Sequence, residues 1–296
     1  MKSTINYLMA VLSIPAIALC MVGCQSDENE QGVENDNLMK FEFAFPGAKT
    51  GATTRATDTS FEITDRVGVF VTGNKQAVES AGNYVTNVAL DFDGIKWNPS
   101  TPLYWNDGIY DAYAYFPYEE TITDVMDMPV TVATEQNSGT GYADSDFLWA
   151  SKKSITASDG VVNLQFSHRM SLMMIELVKG EGYEGGLPDN AEVYIHNTMT
   201  DGTVDLNAGV VTKDKHATAK TIHARSLGNH RYAAIIMPQR LDNRVPLVEV
   251  VSYGVSYLYE SKFIFRQGIQ HNVQLKLSKN PDELKIQIGG EIVNWD

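Results

Sequence analysis

Residues 38–45 read Leu38-Met39-Lys40-Phe41-Glu42-Phe43-Ala44-Phe45. From Phe41 the apolar and polar positions alternate. Phe41, Phe43 and Phe45 share one face, with Glu42 and Ala44 on the other, which is the period of a half-buried strand. Pro46-Gly47 ends it. Residues 47–60, Gly-Ala-Lys-Thr-Gly-Ala-Thr-Thr-Arg-Ala-Thr-Asp-Thr-Ser, are small and polar and give no reason to pack. Arg55 and Ala56 sit in the middle of this loop, and exposed loops of such composition are where proteases cut. The sequence thus predicts a first strand over about 38–45, tied to the rest by a cleavable loop, 47–60.

Toward the N-terminus, Met1-Lys2 opens an apolar run from Tyr7 to Val22 that closes on Gly23-Cys24. Ser13 and Pro15 interrupt the run, which is short for a membrane helix, so a removed signal over 1–23 fits better. A small residue just before a cysteine is where a lipoprotein signal peptidase cuts, after the Cys24 thiol is acylated. Cys24 is therefore the expected lipid attachment site, palmitate included. A plain secretory signal cut nearby is the alternative. Residues 24–37 are acidic and lack apolar periodicity, as in a solvated tether. Acidic residues behind a lipidated cysteine resemble the export signal of surface-exposed outer-membrane lipoproteins, although any acidic tether has this composition.

Beyond Ser60 almost every segment reads as strand or turn. Val67 to Val71 is a short buried run. Asn83–Leu90, Tyr110–Tyr115, Met128–Ala133, Val161–Phe166, Ala191–His196, Gly202–Asn207, Arg231–Met237 and His271–Leu277 are strand candidates. Ser171 to Val178 has a composition that suits helix or strand, and its place between strands favours strand. Leu247 to Tyr259 is rich in Val and Tyr, with Gly254 as a bulge position. Asp-Gly pairs at 93–94, 107–108, 159–160 and 201–202 supply the positive φ angles of tight turns. Lys179 to Pro188 is Gly-rich and polar, the best candidate for an inter-domain link. With no long amphipathic helix, the pattern predicts an all-β chain of packed sandwiches.

The chain of 296 residues is long enough for two β-domains with cores of their own, and its formal net charge is −14. Such an acidic balance argues against nucleic-acid binding. Its two cysteines are Cys20, inside the leader, and Cys24, so no disulfide is expected in the remainder.

No nucleophile elbow, zinc-protease helix, phosphate loop or dinucleotide fingerprint occurs. His216, His223 and His230 are spaced by seven, which puts alternate members on opposite faces of a strand, so no shared metal is expected. No catalytic residue, metal or cofactor is predicted. Residues 97–118 carry Trp97, Tyr104, Trp105, Tyr110, Tyr113, Tyr115, Phe116 and Tyr118. These rings suit a sandwich core. Exposed on a surface they would instead stack on sugars, which makes a glycan-binding surface lipoprotein the alternative function.

Several steps in order resemble one family. They are Thr53-Thr54-Arg55-Ala56, then Phe61 with Asp65-Arg66-Val67-Gly68-Val69-Phe70, and Tyr113-Ala114-Tyr115-Phe116-Pro117. Asp146-Phe147-Leu148-Trp149-Ala150, Phe166-Ser167-His168-Arg169-Met170, Ile236-Met237-Pro238-Gln239 and Ile292-Val293-Asn294-Trp295 follow. The series is similar to the Mfa-like fimbrillins, lipoprotein subunits of type V fimbriae. The resemblance implies two transthyretin-like sandwiches in tandem, over 38–180 and 181–296, and a role in adhesion rather than catalysis. It implies outer-membrane anchoring through lipid on Cys24 and cutting by an arginine-specific protease between Arg55 and Ala56. The strand bearing Phe41, Phe43 and Phe45 would then be displaced. A donor strand over 284–295, with Leu284, Ile286, Ile288 and Ile292, would fill the gap in another fimbrillin subunit. Other subunits, the protease and host or bacterial surface ligands are the implied partners. Little tail follows Trp295. Either 284–295 donates, or the chain is a tip or anchor subunit, and an anchor would keep its lipid with Arg55 uncut.

Overall fold

The computed structural model describes residues 37–46, 60–279, 285–287 and 293–295. They form five sheets. The first, six-stranded, has the order β4(Trp97–Pro99), β3(Val85–Phe92), β2(Arg66–Gly73), β5(Tyr110–Phe116), β7(Leu148–Ile155), β9(Ser167–His168), with every neighbouring pair antiparallel. A separate pair, β1(Lys40–Ala44) and β8(Val161–Gln165), runs parallel. The second six-stranded sheet takes the order β15(Arg225–Gly228), β16(Arg231–Ile236), β10(Ser171–Lys179), β19(Ile269–Leu277), β20(Lys285–Gln287), with β21(Val293–Asn294) also on β19. A four-stranded sheet is ordered β14(Lys220–His223), β11(Glu192–Thr198), β17(Gln239–Ser252), β18(Val255–Phe265). The last sheet is β13(Val210–Lys213), β12(Asp201–Asp205), β6(Met128–Thr131). A one-turn helix, α1(Gly141–Asp144), lies between β6 and β7.

The two central strands of the first sheet, β2 and β5, are buried almost end to end rather than at alternate positions. Both faces of that sheet are covered, which is why their sequences read as apolar runs. Val67, Val69, Val71, Ala112 and Ala114 face a cluster closed by β1 and β8. Phe70, Tyr113 and Tyr115 face the opposite way, into a larger cluster that holds Ile175, Val193, Ile195, Val250, Val273 and Leu275. That cluster packs the second six-stranded sheet against the four-stranded one. In β19, Val273, Leu275 and Leu277 point inward as the alternation predicts.

Ser171–Lys179 is the strand expected, pairing with β16 on one side and β19 on the other. Two expectations change. Gly254 is no bulge. Tyr253 and Gly254, at φ 48° and 78°, form the two-residue turn between β17 and β18, closed by the pair Ser252–Val255. Positive φ at both central positions gives the primed turn that suits twisted hairpins. The bulges lie instead on β17, between Leu241 and Val245 and between Pro246 and Val248. Asp201-Gly202 opens β12 and is not a turn.

The Asp93-Gly94 pair does turn the chain, with Gly94 at φ 96° between β3 and β4. The Asp93 carboxylate accepts the N–H of Ile95 and of Lys96 and the Asn98 amide. These bonds, that from Lys96 first, hold its carboxyl below the usual range.

Candidate functional site: the first strand and the tail

In β1 the alternation of the sequence becomes an alternation of burial. Phe41 is 5% exposed, Met39 before the strand is 3% exposed, and Lys40 and Glu42 face solvent. Phe43 and Phe45 pack against the same cluster from its edge. The Phe43 ring meets Trp97 edge-on at 5.0 Å and Phe166 at 5.5 Å, and Phe45 meets Phe61 at 5.2 Å. Each fully buried large apolar side chain contributes about 1.5–3 kcal/mol, so β1 is a structural part of the first core.

Its backbone is held on few points. One edge follows β8 over five residues, from Lys40–Val161 to Ala44–Gln165. Phe166 N–H donates to Ala44 O at 3.0 Å and the Gln165 amide donates to Phe45 O at 3.0 Å. On the other edge, Met39 N–H donates to Leu103 O at 2.8 Å and Trp105 N–H donates to Asn37 O at 2.6 Å, both near the strand's start. The stretch from Phe41 to Ala44 therefore pairs with one strand only among the described residues.

The tail reaches the same region from the opposite terminus. β20 and β21 run antiparallel along the edge of β19 left open by β10, with Leu275 opposite Ile286 and Gln270 opposite Val293. Trp295 N–H donates to Gly268 O at 2.9 Å. Its ring lies on His168, whose Nδ1 is 2.9 Å from an Asp146 carboxylate oxygen. Phe45, Phe116, Tyr142, His168 and Trp295 line one cavity of about 410 Å³, joined by Asp65. Burial pushes the Asp65 carboxyl up, partly offset by the Glu62 N–H that donates to it. No sequence signal links Phe45 with Trp295. The shared Phe-x-His step at Phe166 and His168 was visible, but what it touches was not.

Of the positions singled out from sequence, Phe41, Phe43 and Phe45 are brought into one sheet and core, and Ile286 lies in β20 against β19. Cys24, Arg55, Ala56, Leu284, Ile288 and Ile292 lie outside the described residues. His216, His223 and His230 are not brought together. His223 Nδ1 is 3.0 Å from a Glu135 oxygen, His230 is 3.7 Å from Asp189, and His216 lies exposed in a turn. Among the described residues no three His, Cys, Asp or Glu side chains form a group able to hold a metal. In the aromatic segment Trp97, Trp105, Tyr110, Tyr113 and Tyr115 are buried, and Tyr104 is the ring left largely exposed. No observation therefore favours a sugar platform there.

Many short, mostly antiparallel strands, with a first strand completing one core, define an all-β protein built from packed sheets. The fimbrillin-like family model matches residues 54–295, and the chain belongs to that family of fimbrial and adhesion proteins, which are not enzymes. No curated protein matches it. Among solved structures, a candidate cell adhesion protein from Bacteroides ovatus is 19% identical with a TM-score of 0.68, over 88% of this chain and 97% of that one. A second, from Bacteroides uniformis, is 19% identical with a TM-score of 0.67, over 88% and 99%. A fimbrial protein from Bacteroides vulgatus is 12% identical with a TM-score of 0.50, over 88% and 100%. At these identities the likeness is one of fold, and membership rests on the family match.

Proposed function

We propose that this chain is a subunit of cell-surface fimbriae, built as two transthyretin-like sandwiches in tandem and assembled by strand exchange. The precursor is exported as a lipoprotein on Cys24. An arginine-specific protease cuts between Arg55 and Ala56, and β1 leaves with its lipid. The row vacated by Phe41, Phe43 and Phe45 takes the 284–295 segment of a neighbouring subunit, with Leu284, Ile286, Ile288 and Ile292 as its apolar positions. One observation carries this reading: β1 supplies core side chains yet, among the described residues, is paired along most of its length to β8 alone. An emptied edge with an apolar row is the setting for β-augmentation by another chain. The family match supports it too, since it begins at residue 54 and leaves β1 out. To donate, the tail has to leave the edge of its own β19.

The test is Arg55→Ala, expressed in cells that make the fimbriae. Export persists and polymer formation is lost, so that surface extracts hold only monomer with an N-terminal lipid. Normal filaments from that variant overturn the cleavage step. N-terminal sequencing of surface protein separates the states, because a start at Ala56 marks a processed subunit and a blocked Cys24 marks an anchor or an uncut precursor.

A further inference from the structure

The long hairpin of β17 and β18 leaves a different edge open. β18 ends its sheet, and among the described residues no strand pairs with its outer side. The strand runs unbroken for 11 residues, because both bulges of the hairpin lie on β17. Ser256, Leu258, Glu260, Lys262 and Ile264 are exposed on one face, while Tyr257, Tyr259 and Phe263 pack against the larger core. Leu258 is 43% exposed and Ile264 42%. Because Ser252 and Val255 close a two-residue turn, the odd-numbered residues of β18 bond back to β17. The even-numbered ones direct their N–H and C=O groups outward. A long open edge with apolar residues invites another strand, and proteins ordinarily guard such edges with charge.

The charges on this edge are arranged to match themselves. We infer that β18 pairs antiparallel with β18 of a second copy of this chain, across a two-fold axis at Ser261. In that register Glu260 lies opposite Lys262 of the second copy, and Lys262 opposite its Glu260. Leu258 and Ile264 meet in the same reciprocal way, so two charge pairs are flanked by two apolar pairs. Centring the pairing on residue 260 or 262 instead sets Glu260 against Glu260 or Lys262 against Lys262, which is repulsive. The same residues that guard the edge against other strands therefore select one partner and one register. Glu260 also lies 3.5 Å from Arg244, which keeps its carboxylate in place at the edge. A contact made by one strand edge is at the small end of specific interfaces, so the pairing is reversible. It is independent of the strand exchange proposed above, because among the described residues β18 pairs with neither β1 nor the tail.

Sedimentation of the uncut chain over a concentration series tests this. The wild type shows a reversible monomer–dimer equilibrium. Lys262→Glu and Glu260→Lys each weaken the dimer by about tenfold or more, since two attractive pairs become repulsive. The double variant Glu260→Lys with Lys262→Glu recovers affinity well above either single variant, because the opposed pairs are regenerated with their signs exchanged. It stops short of the wild type because position 260 lies beside Arg244. Both side chains are exposed, so circular dichroism stays unchanged throughout. A wild type that remains monomeric, a dimer indifferent to Lys262→Glu, or a double variant that fails to recover each overturns the inference. A dimer lost only when the tail is removed belongs to exchange and counts against β18 as well.

Discussion

The imidazole of His168 and the indole of Trp295 lie parallel, with 3.9 Å between ring centres and 1° between planes. On the same imidazole, Phe45 rests edge-on at 5.8 Å. One side chain thus touches both the end of the first strand and the end of the tail, the two segments proposed to change partners. Asp146 fixes the ring from Nδ1. Whatever loosens Phe45 removes part of the support beneath Trp295.

Trp295→Ala is expected to speed amide exchange at 285–287 and 293–294 by up to about tenfold, the equivalent of one aromatic pair. Phe45→Ala shifts the same amides in the same direction by less. Hydrogen-exchange mass spectrometry reads both, and a tail unchanged by Phe45→Ala rules out coupling through His168.

Phe41→Ala is expected to cost about 3–5 kcal/mol, the range for a buried phenylalanine whose site collapses only in part. Its neighbour Glu42 is exposed, so Glu42→Ala stays within about 0.5 kcal/mol. Urea unfolding of the two variants gives the contrast. Equal effects would mean that β1 does not anchor the core through its inner face.

His271 is 6% exposed, with its ring beside Phe263 and Phe265. Burial first, and the charge of Arg266 second, hold its imidazole below the ordinary value of 6.5. The unfolded chain therefore takes up a proton that the folded chain refuses. The contribution of this residue is level above about pH 6.5, falls as the pH drops below that, and flattens once the folded imidazole is itself protonated. Unfolding free energies at about pH 7.5 and about pH 5.5 check it. The fall is smaller in His271→Gln than in the wild type, and an identical fall in both refutes the assignment.

Gly202→Ala is expected to lower stability by about 1–3 kcal/mol, as overpacking does. An added methyl would stand 2.4 Å from Met237 Sδ and 2.4 Å from Thr212 O. Thermal unfolding measures the loss, and a neutral result would show that β12 and β13 separate at little cost.

Much of this architecture was legible because burial imposes a period. β19 alternates since one face meets the core, and Val273, Leu275 and Leu277 announce it. β1 does the same through its phenylalanines. The run from Leu247 to Tyr259 misled because a Tyr-Gly turn carries none of the usual Asn or Asp, so two strands read as one with a bulge. Asp201-Gly202 misled in the opposite sense. Its glycine is there for the close approach of Met237, not for a turn. The sheet to which β10 belongs, and the meeting of Phe45, His168 and Trp295, depend on which distant segments pair. Local pattern carries no record of that.

β10 and β19 run parallel and in register over eight residue pairs, from Leu172–Gln270 to Lys179–Leu277. In the strand exchange proposed above, tension entering through the tail arrives at β19 along the strand axis and acts on that ladder in shear, sharing the load among its rungs rather than peeling them one by one. A filament whose stress passes through such a joint yields by slow, whole-domain rupture, so its endurance is set by an unfolding rate and not by equilibrium stability.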